Sequence, residues 1–242
     1  MRPRVKFLDQ DTVDQVIKEG LQLLQDPGIQ VFNAQALDLL EAQGAVVDRH
    51  HHLTRIPEKI VQQALATCPK EFILYDLNGK PAVVYGGDRV HFDPGSAALQ
   101  VLDSHTQRPR TPTTSDLVDF VKLVEALPEL DAQSTAMVPG DVPEEIGDLY
   151  RLYLVLNYGS KPIITGAFRK DTWTVMYDLL ATAAGGKESL KQKPLAVFDV
   201  CPSPPLKWSD LTCQNLIDCA RQMIPAEIVS MPLAGATSPV TL

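Results

Sequence analysis

Residues 194–201 read PLAVFDVC, a short apolar run entered through a proline and left through PSPP at 202–205. A strand with one face in water alternates polar and apolar residues, whereas a short apolar run fits a strand covered on both faces. Three other stretches follow the same grammar: LDAQSTAMV at 130–138, KPIITG at 161–166 and AEIVSMP at 226–232. Helical periods fall between them. SDLVDFVKLVEAL from Ser115 is one, and a second follows the loop PGDVPEE and runs through Asn157. A third, Asp171 to Ala184, sets Trp173, Met176, Tyr177 and Leu180 on one face; a fourth, capped by Ser209, turns Cys213, Leu216, Ile217 and Ala220 inward.

Strands alternating with helices predict an α/β fold with a parallel sheet. No GxGxxG follows the first of these strands and no GxxxxGK[ST] occurs, which argues against dinucleotide-binding and P-loop sheets and for a barrel. About four β/α units are readable, half of a closed barrel. Residues 115–242 are therefore expected to form a partial (β/α)8 TIM barrel. The final stretch SMPLAGATSPVTL carries Ser238 and Pro239 as the start of a further helix, so the chain is expected to be truncated.

Residues 1–110 are expected to form a mixed α+β region. Asp11 is read as the cap of a helix with Val13, Val16, Ile17, Leu21 and Leu24 on one face, stopped by DPG at 26–28. IQVF and AVVD read as strands, Asn33 caps a helix ending at Gly44, and Pro57 opens another. FILYDL, AVVYGG and RVHFDPG are further strand candidates, and RPRTPTT at 108–114 is the expected linker.

Composition narrows the function classes. The 242 residues carry 22 Lys+Arg against 30 Asp+Glu, a net charge of -8, with no basic run; nucleic-acid binding is not expected. No signal peptide and no stretch of membrane-spanning length is readable. Cys68, Cys201, Cys213 and Cys219 form no CxxC pair, a pattern of reduced thiols that predicts a cytoplasmic protein.

The ordered series MRPRVKFL, GAVVD…RIPEKIV, FDPG, VLDSHTQRPRTPTTSDL, PGDVP, AAGGKESLKQKPLAVFDVCPSPPL and SMPLAGATSPVTL runs from residue 1 to 242 and resembles the trimethylamine methyltransferase family of corrinoid-dependent methyltransferases. NYGSKP at 157–162 departs from the family, whose members more often carry an Asn-Thr pair there. The resemblance implies a TIM barrel that moves a methyl group from trimethylamine, glycine betaine or a related amine onto the corrinoid (cobalamin) of a separate partner protein. No cofactor is expected to be bound directly by this chain. The family continues for roughly as long again, so residues 1–242 are expected to be inactive alone and to self-associate through unclosed sheet edges. The alternative is a non-catalytic amine-binding or regulatory module derived from the family.

An N-methyl cation is held by carboxylates and aromatic faces, and in a barrel these belong at the C-terminal ends of strands. Asp141, Thr165, Ser203 and Ser230 occupy such positions, and alternation puts His91 and Asp93 on one face of a candidate strand. Each has a structural alternative. Asp141 would cap the helix near Pro143, Thr165 and Ser230 would satisfy backbone groups, Ser203 would shape a rigid loop, and His91 and Asp93 would build a turn. Cys201 reads as a small buried thiol and His50–His52 as a solvated loop. Cys213 and Cys219 are six residues apart on different helix faces, so no zinc site is expected. Trp208 is either an aromatic wall or a core residue at a helix start.

Overall fold

A computed structural model describes residues 6–95, 97–231 and 233–235; the helix read at Ser238 and Pro239 lies outside them. The first elements are α1 (Gln10–Gln25), β1 (Ile29–Val31), α2 (Ala34–Ala42), β2 (Val46–Asp48), β3 (Leu53–Arg55) and α3 (Glu58–Thr67). Then come β4 (Glu71–Tyr75), β5 (Pro81–Gly86), β6 (Val101–Leu102), β7 (Pro109–Arg110), α4 (Thr114–Ala126) and β8 (Gln133–Ser134). The last are α5 (Gly147–Tyr158), β9 (Ile163–Thr165), α6 (Lys170–Ala183), α7 (Lys187–Gln192), β10 (Ala196–Val200), β11 (Lys207–Trp208), α8 (Asp210–Gln222) and β12 (Ala226–Ile228). Among the described residues no helix is long and apolar enough to cross a membrane.

The chain divides into two compact units. One takes in residues up to Cys68, Pro202–Cys213 and the segment from Met231; the other takes in Pro69–Cys201 and Gln214–Ser230. In the first unit a four-stranded sheet runs β11-β1-β3-β2, with β1 parallel to β11 and antiparallel to β3. Ile29, Val31, Leu37 and Cys213 form its core, with Leu24, Leu40, Ile56 and Trp208 packed against it. Trp208 is thus a core residue, but from a strand rather than a helix start. The cap of α1 is Asp9, not Asp11: its carboxylate accepts the Thr12 N–H at 2.7 Å. Gly28 ends that turn at φ +89°, where a Cβ would stand 2.6 Å from the Thr54 carbonyl, so only glycine fits. Asn33 caps α2 as the sequence suggests, accepting the Ala36 N–H at 2.9 Å. β11 has no local sequence signal, being two residues long and formed by pairing with the distant β1, while the three-residue β3 pairs with both the neighbouring β2 and β1.

The second unit contains a parallel sheet in the order β12-β10-β9-β8. One face carries Ile163, Ala196 and Phe198 and packs against α4, α5 and α6 through Leu117, Val121, Leu152, Val155, Trp173, Met176, Tyr177 and Leu180. All four residues assigned to the inner face of α6 are buried. On the opposite face Ala132, Ile164 and Val197 pack on Leu74 and Val83 of the antiparallel β4–β5 hairpin. Both faces of β9 and β10 are covered, which is why their sequences run apolar, whereas β12 is exposed along its length.

Side chains fix the helix ends. Thr113 and Asp116 close a capping box on α4. At the other end of α4 Lys161 donates to the carbonyls of Val124, Leu127 and Leu130 at 2.7–2.8 Å, satisfying groups that a helix C-terminus leaves open. In α8 the inward residues are Thr212, Cys213, Asn215 and Cys219, while Ala220 is exposed, contrary to the apolar reading of that helix. Asn215 turns inward because its amide donates to the Ala167 carbonyl at 3.1 Å. RVHFDPG forms no strand. The His91 ring bonds the Val84 carbonyl at 2.9 Å and the Asp131 carboxylate at 3.1 Å, and Asp93 accepts the Gly95 N–H at 2.8 Å. These side-chain bonds replace a ladder. The stretch 108–114, expected as the linker, carries β7 and the Thr113 cap.

Candidate functional site

In parallel strands, residues opposite one another in register project to the same face. Val197 lies opposite Ile164 and packs under the hairpin, so two residues further along β10 Asp199 shares that face. Asp199 lies opposite Glu227 of β12. The C-terminal part of the hairpin-side face therefore presents two carboxylates next to each other. Tyr85 of β5, half-buried, stacks on Phe72 with centroids 5.1 Å apart.

Electrostatics ties these groups together. Burial pushes the Tyr85 phenol up to about 12, and the surrounding charges of Glu227, Asp93, Asp199 and Asp131 push the same way. Glu227 is raised above the ordinary carboxylate range, first by partial burial and then by the negative charge of Asp93. Cys201, one step past β10, is raised by partial desolvation and by the charges of Asp199 and Glu227. The thiol is exposed, which corrects the expectation of a buried one. A raised thiol is a weak nucleophile, since the thiolate is the reactive form.

Of the six residues singled out from sequence, His91 and Asp93 lie at this group, the His91 ring edge-on to Tyr85 with centroids 5.7 Å apart. Asp93 belongs electrostatically to the Asp199–Glu227 group. Asp141 accepts the backbone N–H of Thr114 at 2.9 Å and its hydroxyl at 3.1 Å, capping α4 rather than the helix near Pro143. Thr165 is fully buried on the helix-covered face, its hydroxyl 3.1 Å from that of Thr135. Ser203 pairs through its backbone with Lys207 in the first unit. Ser230 is exposed just beyond β12, and His91 holds the chain between β5 and β8 as described.

Asp199 and Glu227 were not singled out from sequence. Their signal is a single acidic residue inside an apolar strand, VFDVC and AEIVS, which is a charge placed where both faces should be apolar. His50–His52 are exposed, with His51 bonded to Asp48 at 2.8 Å. Among the described residues no group of three or more His, Cys, Asp or Glu is arranged to hold a metal ion. Cys213 belongs to the core of the first unit and Cys219 to that of the second.

A carboxylate pair beside an aromatic pair is suited to a cation with methyl substituents: the carboxylates supply charge and the ring faces supply cation–π attraction. The family described as trimethylamine methyltransferase (MTTB) matches residues 1–242. A trimethylamine methyltransferase MttB of Desulfitobacterium hafniense is 28% identical over 222 residues, covering 92% of this chain and 45% of the relative. A glycine betaine methyltransferase of the same species is 28% identical over 242 residues, covering 99% of this chain and 50% of the relative. The trimethylamine methyltransferase MttB of Methanosarcina thermophila is 27% identical over 227 residues, with 92% and 47% covered. The chain thus spans about half the length of the curated relatives it matches.

Proposed function

Given that the chain belongs to the trimethylamine methyltransferase family, we propose that it supplies the first half of a (β/α)8 barrel that passes a methyl group from a tertiary or quaternary methylamine to a corrinoid protein. Residues 1–110 are the mixed α+β region before the barrel and residues 115–242 its first strand–helix units. The strand order following chain order, with α4, α5 and α6 on one face, supports a singly wound sheet. A doubly wound sheet reverses its order and carries helices on both faces. β12 is an edge strand whose Ile228 is 58% exposed, a surface suited to the next strand and helix or to self-association.

The observation that carries the site is the register pair Asp199–Glu227 beside Asp93 and Tyr85. In this reading the carboxylates hold the ammonium and the Tyr85–Phe72 pair packs on its methyl groups. Transfer breaks a C–N bond and leaves the bonding electron pair on nitrogen. A quaternary amine departs neutral directly, whereas a tertiary amine departs neutral only if it enters protonated. The corrinoid is the methyl acceptor carried by its own protein, so the chain's task is orientation and charge.

Mixing the chain with a Co(I) corrinoid protein and either trimethylamine or glycine betaine tests the reading through the corrinoid's absorbance. The chain alone is expected to transfer nothing, because a barrel site draws on strands all around the ring. A second polypeptide supplying the remaining strands is expected to restore transfer. Turnover by the chain alone overturns the claim of inactivity. Transfer by the reconstituted pair that is unaffected by Asp199→Asn and Glu227→Gln together overturns the site.

A further inference from the structure

Arg151 in the second turn of α5 is 1% exposed. Its Nη1 donates to the Thr135 carbonyl at 2.7 Å and its Nη2 reaches the Gly166 carbonyl at 3.5 Å. These carbonyls belong to the residues that directly follow β8 and β9. The guanidinium lies 4.3 Å over the Phe168 ring, and its Nε has no hydrogen-bond partner. The neighbouring carboxylate, Asp148, is engaged elsewhere: it accepts the Leu149 N–H, the Phe168 N–H and the Thr172 hydroxyl.

Burying a guanidinium without a bonded carboxylate is costly, and Arg151 offsets that cost only with two carbonyls and a ring face. Gly166 supplies the link to Asp199. A Cβ at Gly166 would stand 3.2 Å from the Asp199 carbonyl oxygen and 3.8 Å from the Asp199 Cβ. The same glycine therefore meets Arg151 through its carbonyl and Asp199 through its bare Cα.

We propose that Arg151 is the positioning residue of the acidic rim: it pins the ends of β8 and β9 so that Gly166 seats Asp199 beside Glu227, and its buried charge faces Asp199 from behind the sheet. Burial draws the guanidinium down to about 10 and Asp148 and Asp199 oppose that draw, in keeping with this arrangement. Two adjacent carboxylates resist ionising together, and a fixed cation nearby relieves the repulsion. Around the pair stand Asp93, Asp131, Tyr85 and Cys201, with His91 bonded to Asp131 at 3.1 Å and edge-on to the Tyr85 ring. Arg151 adds a fixed positive charge that interacts with Asp199. The functional meaning rests on the amine-site reading above, but the positioning does not.

Carboxyl ¹³C NMR of the full chain tests it, following Asp199 and Glu227 through a pH titration without any substrate. Arg151→Met is expected to move the Asp199 midpoint upward, with a smaller upward shift at Glu227, and Arg151→Lys to recover part of it. Gly166→Ala retains the cation and is expected to displace the Asp199 carboxyl resonance while circular dichroism stays unchanged. A folded Arg151→Met protein with both midpoints in place overturns the proposal. If Arg151→Met does not fold, the decision passes to Gly166→Ala, and an unmoved Asp199 resonance there overturns it. Midpoints that move as expected in a chain that binds no tetramethylammonium support the positioning role and count against the amine site alone.

Discussion

Asp141 and Thr114, 27 residues apart in sequence, are joined by three hydrogen bonds: both carboxylate oxygens accept the Thr114 N–H, and one accepts its hydroxyl. Thr114 is the first residue of α4, so the loop after β8 is fastened to the start of the helix before it. Asp141→Ala is expected to cost about 1 kcal/mol, the usual worth of a lost helix cap. Urea denaturation measures the loss. Tetramethylammonium binding, followed by NMR, is expected to be unchanged, and weakened binding would return Asp141 to the amine site.

Acid acts on the same end of α4. Asp116 is held well below the usual carboxylate range, first by the Arg110 guanidinium and then by Thr113, and Asp103 lies at about 2, chiefly through the Thr106 N–H and Arg110. Both carboxylates are depressed in the folded state, so their stabilising effect is present above the ordinary carboxylate range and is lost as pH falls through the folded values. Melting temperatures taken from neutral pH downward should fall below about pH 4. Arg110→Gln should flatten that slope. An unchanged slope would show that other carboxylates govern acid unfolding.

The strand–helix order of the second unit was legible because apolar runs and helical periods are local signals. α6 is the clearest case: Trp173, Met176, Tyr177 and Leu180 recur at helical spacing and all are buried. β11 was not legible, since Lys207 and Trp208 become a strand only by pairing with Gln30 and Val31. Cys219 and Ala220 in α8 show a second limit: apolar character alone points Ala220 inward, whereas Asn215, through one hydrogen bond, sets the buried face. The candidate site failed to declare itself for a related reason. Strand-end loops are where a barrel's site residues are expected, while Asp199 and Glu227 sit within strands and meet only through register.

Thr165 and Thr135 offer a test of structural against substrate roles. Their hydroxyls are 3.1 Å apart in a fully buried setting. Thr165→Val leaves the Thr135 hydroxyl without this partner and is expected to cost about 1–3 kcal/mol, whereas changing both to Val is expected to be much milder than the sum of the two single changes. A double-mutant cycle by urea denaturation measures the coupling. Additive single effects would mean that the two hydroxyls do not depend on each other.

Glu227 carries the opposite pH sign from Asp116. Its carboxyl is raised by partial burial and by Asp93, so its ionised form is disfavoured in the folded chain. A raised acid contributes stability that is present below the ordinary carboxylate range and is lost as pH rises through the folded value. Glu227→Gln removes the ionisation. Its melting temperature relative to the unchanged protein is therefore expected to rise between about pH 4 and pH 7. The same substitution is expected to weaken tetramethylammonium binding, because one of the carboxylates facing the cation is gone. Glu227 therefore predicts a trade: stability gained at neutral pH and ligand lost. If the pH-dependent difference appears without any loss of binding, Glu227 is a strained edge residue and the amine lies elsewhere. If binding falls without the pH-dependent difference, Asp93 does not press on Glu227 and the acidic group is looser than its register implies.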